Sequence, residues 1–157
     1  MRLTLQTDYA LRMLMYLAIH RGKSCRVTDV AADYGISRNH LLKVALKLGR
    51  LGYLATARGR AGGIALARPP EDINLGDVVR QMEDGFDLTE CMRPGGGCAI
   101  TSSCRLKSVV GRALDAFHEV FDGVNLADIV SNRKELLEAL ELNRMQGEAP
   151  ASAPGGG

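Results

Sequence analysis

VTDVAADYGISRNHLLKVALKL, residues 27–48, admits few folds. Val30, Ala31 and Tyr34 recur at helical spacing behind Thr28, which predicts a short helix capped by Thr28. Gly35 supplies a turn. Ser37 then predicts the cap of a further helix whose inner stripe is Leu41, Val44, Ala45 and Leu48. A short helix, a glycine turn and a second capped helix make a helix-turn-helix.

The flanks extend this unit. Leu11, Leu14, Met15 and Ala18 predict an earlier helix over Asp8–Ile19, with Thr7 at its start and Gly22 past its end. Downstream, Tyr53–Ala57 and Ile64–Ala67 flank a glycine-rich tip containing Arg58 and Arg60, which predicts a β-hairpin placed as a wing. Asn74 is the predicted cap of a helix carrying Leu75, Val78, Val79 and Met82. Leu106, Val109, Val110, Ala113, Leu114, Phe117, Val120 and Phe121 form an i, i+3, i+4, i+7 stripe over 105–121, expected to pack against a second subunit. Residues 126–142 predict one or two short helices, and GEAPASAPGGG a disordered tail.

The expected fold is mainly α: a winged helix-turn-helix DNA-binding domain (1–85), a cysteine-bearing cluster loop (86–104), a long dimerisation helix with C-terminal helices (105–142) and a tail (143–157).

Of 157 residues, 46% are hydrophobic and 24% charged, as in a globular domain. No apolar run approaches the roughly 18 residues of a membrane-spanning helix. The opening MRLTLQTDYALR is charged early and has no small-residue cleavage site, so no signal peptide and a cytoplasmic location are expected. The net charge of +2 conceals an asymmetry: residues 1–68 hold twelve Lys/Arg against three Asp/Glu (+9), and 69–157 hold eight against fifteen (−7). A basic block of this size fits a polyanion, although a solvated basic face has the same composition.

Ser37, Arg38, Asn39 and His40 fill the first turn of the presumed recognition helix, the part that meets base edges in the major groove. Arg suits guanine and Asn suits adenine, both bidentately; Lys43 suits a phosphate. Thr28 joins these as a DNA contact. Arg58 and Arg60 suit minor-groove shape and charge. No nucleophile–base arrangement, phosphate loop or paired carboxylates point to an enzyme.

CMRPGGGCAITSSC places Cys91, Cys98 and Cys104 within fourteen residues. A disulfide takes two thiols and a four-thiolate zinc site takes four, usually in closer pairs. Three thiols on a glycine-rich loop suit an iron–sulfur cluster that draws a further ligand from elsewhere. Zinc and redox-active thiols remain as other readings of the spacing. Cys25 lies outside the pattern and reads as a plain thiol.

The chain resembles the winged-helix iron–sulfur regulators, and among them the nitric-oxide-sensing repressors, from Met1 to about Val130. LTLQTDYALRML, YGISRNHLLKV, ARGRAGGIALARPP, INLGDVVRQME and the cysteine trio carry the likeness. It implies a homodimer binding an inverted-repeat operator in double-stranded DNA, with a cluster, 4Fe-4S rather than 2Fe-2S, held by Cys91, Cys98 and Cys104. It also implies a fourth ligand from Asp8 of the partner subunit, with Arg12 one turn on to hold the carboxylate; taken alone, Asp8 is an ordinary acidic residue at a helix N-terminus. A related cluster-assembly regulator carries a histidine three residues after its last cysteine, where this chain has Lys107. His20, His40 and His118 lie in other segments. Iron-responsive relatives tend to lack the aspartate, so Asp8 favours nitric oxide as the signal. The expected function is a cluster-dependent repressor that releases its operator when the cluster is nitrosylated. An iron- or redox-status sensor of the same fold and a zinc-stabilised, non-sensing DNA-binding module are the alternatives.

Overall fold

The computed structural model describes residues 2–57 and 62–147. Arg58 and Arg60 at the wing tip, and the tail from residue 148, lie outside the described residues.

The first helix, α1 (Leu5–Ile19), starts a turn earlier than the periodicity predicts. Thr4 is its cap, its hydroxyl accepting from the Thr7 backbone N–H at 3.3 Å. Thr7 is instead fully buried in the first turn. Either threonine suits a cap, and burial decides between them. The next helix, α2 (Val27–Tyr34), begins after Arg26, so Thr28 sits inside it and is not its cap. The Asp29 carboxylate accepts from the Arg26 backbone N–H at 3.4 Å, taking the role assigned to Thr28. Gly35 adopts the left-handed conformation (φ 64°) that closes α2 and sets the turn. The helix expected to read DNA, α3 (Arg38–Arg50), follows with Ser37 at its cap position, although the serine side chain makes no capping hydrogen bond.

Strands β1 (Leu54–Ala57) and β2 (Gly63–Leu66) pair antiparallel, Leu54 opposite Leu66 and Ala57 opposite Gly63. Cys25 extends this sheet. It donates to the Ile64 carbonyl at 2.9 Å and accepts from the Ile64 N–H at 2.8 Å. The wing root is thereby fastened to the segment between α1 and α2.

Helix α4 (Leu75–Met82) is capped by Asn74, whose side chain accepts from the Asp77 N–H at 3.1 Å. The long helix α5 (Arg105–Asp122) leans on α4 and is pinned at its C-terminal end. There Arg80 reaches Asp122 at 2.6 Å, and the Asn74 amide donates to the Asp122 carbonyl at 2.7 Å. Helices α6 (Leu126–Ile129) and α7 (Arg133–Gly147) return to the body formed by α1 and α2. Leu126 is buried in the same core as Met13, Leu41 and Val78. Helix α7 packs on α2: the Asn143 amide donates to the Asp33 carbonyl at 2.7 Å, and Arg133 bonds the Ile19 carbonyl. Residues 143–147, assigned to the tail by composition, are therefore helical. The hydrophobic core is one continuous cluster, drawn from α1, α2, α3, the wing, α4 and α6.

Candidate DNA interface and cysteine loop

Helix α3 turns one apolar stripe into the core and presents its polar residues outward. Leu41, Val44 and Leu48 are at most 2% exposed, while Ser37, Arg38, Asn39, His40 and Lys43 are all exposed. Thr28, on α2, is exposed as well. The turn at Gly35 holds α2 beside α3, and the two helices pack directly. Arg38, Asn39 and Lys43 thus stand on an open helix surface supported from behind, the arrangement that a groove-reading helix requires.

His40 is also engaged inside the protein. Its ring lies parallel to that of Tyr9, with centroids 6.2 Å apart and planes 24° from parallel. Tyr9 follows Asp8 on α1. Asp8 lies in the first turn of α1 and is half exposed; Arg12 grips it with Nη2 at 2.8 Å and Nε at 3.0 Å. The pair is bidentate, Nη2 on Oδ2 and Nε on Oδ1, so the guanidinium engages both oxygens of Asp8.

Between α4 and α5 the chain winds through turns, including a short 3₁₀ turn at Glu90–Met92 that carries Cys91. Gly95 adopts a left-handed conformation (φ 76°). At Gly96 a side chain would collide with the Glu90 carbonyl, so the loop closes on itself only with glycine there. The Thr89 hydroxyl lies 3.2 Å from the Cys91 Sγ, and the Thr101 hydroxyl donates to the Cys98 carbonyl at 2.8 Å. Cys104 occupies the cap position of α5, whose dipole favours an anionic group. Phe86 anchors the start of the loop against α5, its ring 4.5 Å from His118 and 6.1 Å from Phe117.

Cys91, Cys98 and Cys104 are half-buried free thiols, whereas Cys25 is buried. Burial pushes the Cys25 thiol above its ordinary range, so it is a poor thiolate and its contribution is the backbone bridge to Ile64. Among the described residues of the single chain, no three His, Cys, Asp or Glu side chains are gathered closely enough to hold a metal ion. The donor chemistry nevertheless fits an iron–sulfur cluster. Three unpaired thiols share one loop, and the candidate oxygen ligand sits on a different element, open toward solvent.

Sequence reasoning missed two polar ties. The Glu83 carboxylate accepts from both the backbone N–H (2.7 Å) and the hydroxyl (3.1 Å) of Thr4, at the start of the helix bearing Asp8. Lys47 of α3 donates to the Met82 carbonyl at 3.0 Å and lies 3.9 Å from Asp84. Residues 82–84 therefore join the recognition helix, the first helix and the entrance to the cysteine loop. Both contacts link positions far apart in sequence, and no local pattern announces them.

A basic helix-turn-helix with a wing, a long amphipathic helix and a loop of free thiols define a winged-helix DNA-binding regulator. The profile of the Rrf2 family, described as an iron-dependent transcriptional regulator, matches residues 3–132. The chain belongs to the Rrf2 family and is an NsrR-type regulator within it. It is 45% identical over 144 residues to the HTH-type transcriptional regulator NsrR of Bacillus subtilis, an alignment spanning 90% of this chain and 99% of that one. The corresponding protein of Halalkalibacterium halodurans is 46% identical, with 90% and 99% covered. Among solved structures, T. potens IscR superposes with a TM-score of 0.69 at 27% identity, covering 87% of this chain and 90% of that one. CymR, the global cysteine regulator of B. subtilis, superposes with a TM-score of 0.68 at 23% identity (84% and 98% covered) and supports the fold. These relatives are transcriptional regulators and not enzymes, and DNA is the partner of such a protein. Among the described residues no helix is long and apolar enough to cross a membrane.

Proposed function

We propose that this regulator is a cytoplasmic, homodimeric repressor that senses nitric oxide through an iron–sulfur cluster, 4Fe-4S rather than 2Fe-2S. Cys91, Cys98 and Cys104 hold the cluster together with Asp8 of the partner subunit. Asp8 would give one iron a carboxylate ligand, which is weaker than thiolate and would be the easier for nitric oxide to displace.

The observation that carries this reading is the division of donors: three free, half-buried thiols on one loop, and a half-exposed Asp8, oriented by Arg12, on another element. Two protomers supply what one lacks. Helix α5 offers the seam, since among the described residues none of its side chains is fully buried. Leu106 and Val109 are 61% and 57% exposed, and Val109, Val110, Ala113 and Phe117 line a groove of about 730 Å³. A second copy burying that face removes apolar area from water, worth about 25 cal/mol per Å².

The chain's own contacts supply the coupling. Asp8 is tied to Arg12, Tyr9 stacks on His40 of α3, and the Met82–Asp84 segment holds both Thr4 and Lys47. A change in how Asp8 is held alters the support of the recognition helix, and a two-fold dimer then loses both half-sites of an inverted repeat together. Arg38 and Asn39 read bases, assisted by Ser37, His40 and Thr28; Lys43 and the wing residues Arg58 and Arg60 address backbone and groove shape.

Anaerobic purification followed by iron and sulfide assay tests the reading. Stoichiometric iron and sulfide are expected in the wild type, with loss of both and of operator binding in Cys91→Ala, Cys98→Ala and Cys104→Ala. A colourless, zinc-loaded dimer that binds its operator would refute it. The Rrf2 description as iron-dependent favours iron status as the second reading; operator binding that follows iron supply and ignores nitric oxide selects it.

A further inference from the structure

The outward face of α3 is not wholly polar. At 3.6 residues per turn, Asn39, Leu42, Lys43, Leu46 and Arg50 fall on the side opposite the buried Leu41, Val44 and Leu48. Leu42 is 41% exposed and Leu46 57%. A single exposed leucine needs no explanation. Two of them at i, i+4 spacing, on the face that carries Asn39, Lys43 and Arg50 and within a block of charge +9, need an occupant that is anionic at its edges and apolar within. The major groove of DNA has that character: phosphates flank it, and the thymine 5-methyl is the apolar group on its floor.

We propose that Leu42 and Leu46 are specificity-determining residues that read thymine methyl groups, one and two helical turns beyond the bases addressed by Arg38 and Asn39. The inference rests on the assignment of α3 as the recognition helix. Its consequence is an operator half-site with thymines at fixed offsets from the positions read by Arg38 and Asn39. Leu42 and Leu46 reject cytosine there, because its exposed amino group would be buried against an aliphatic side chain without a partner.

Deoxyuridine differs from thymidine only in lacking this methyl, which makes the test specific. An operator is first selected from a random duplex library with the full-length, anaerobically purified protein. Each thymine of a half-site is then replaced singly by deoxyuridine. The wild type is expected to lose about fourfold in affinity at one or two positions, the equivalent of one buried methyl-sized group. Leu42→Ala or Leu46→Ala is expected to bind the thymine and deoxyuridine duplexes equally at the matching position, with the wild-type salt dependence retained. Both side chains are substantially exposed, so these substitutions leave the core intact, and a thermal melt verifies this. A wild type indifferent to deoxyuridine at every position overturns the inference, as do alanine variants that keep the methyl preference. Should Arg38→Ala and Asn39→Ala relax the selected sequence while no methyl matters, α3 remains the reading helix and only the leucine role fails. Should selection yield no preferred sequence, the recognition-helix assignment fails and this inference with it.

Discussion

Gly63 sits where no methyl group fits. A Cβ there would lie 2.5 Å from the Cys25 carbonyl oxygen and 2.6 Å from the Ser24 Oγ, and the carbonyl belongs to the bridge that fastens the wing. Gly63→Ala is expected to lower stability by about 1–3 kcal/mol in urea denaturation, the usual cost of overpacking. An unchanged midpoint would mean that the wing root is not closed as described. The neighbouring Cys25 matters through its backbone, so Cys25→Ala is expected to keep operator binding. In cluster-free native protein, Cys91, Cys98 and Cys104 are expected to react with a thiol reagent well before Cys25, which is buried and has a raised thiol pKa. Equal rates for all four would contradict the burial of Cys25. On α3, Arg38→Ala and Asn39→Ala are each expected to cost about 1–3 kcal/mol at particular base pairs. Lys43→Ala is expected to weaken specific and random DNA alike. Binding isotherms on both kinds of duplex separate the two outcomes.

At the scale of elements, α5 makes the sharpest prediction. Phe117 contacts Phe86 and Phe121, and its removal would disturb the protomer. Val109 is 57% exposed in the single chain and makes the cleaner probe. Val109→Asp is expected to leave the fold intact yet sediment as a monomer, because a charge would enter an apolar seam. That monomer should also lack a normal cluster, since Asp8 of the partner subunit would be out of reach. A monomer with a full cluster would exclude ligation across the interface. The order and type of the elements were legible in the sequence wherever a periodic stripe met a cap, as at Asn74 before Leu75 and Gly35 after Tyr34. Helix starts were less legible: Thr4 and Thr7 are chemically equal candidates, and only tertiary burial of Thr7 selects Thr4. The cysteine trio and Asp8 could be named from the sequence. Glu83 on Thr4 and Lys47 on Met82 could not, because such contacts join residues 79 and 35 positions apart.

Across the whole molecule, charge and contacts divide the work. The first 68 residues carry +9 and the remainder −7, and the exposed Arg38 and Lys43 of α3 belong to the basic part. Operator affinity is therefore expected to fall steeply with salt through counterion release. The C-terminal helices do not form a separate body: α7 braces α2 through Asn143 and Asp33, and Leu126 completes the core. Asp8, Tyr9 and Arg12 on α1, Glu83 after α4, and His40 and Lys47 on α3 then connect the proposed ligand to the reading surface by direct contact. An anaerobic titration with nitric oxide, following cluster absorbance and operator binding in the same samples, examines that connection. The expected result is a parallel loss of both signals, with Asp8→Cys slowing the reaction because thiolate holds iron more firmly than carboxylate. Consumption of the cluster while the operator stays bound would contradict nitric oxide as the signal.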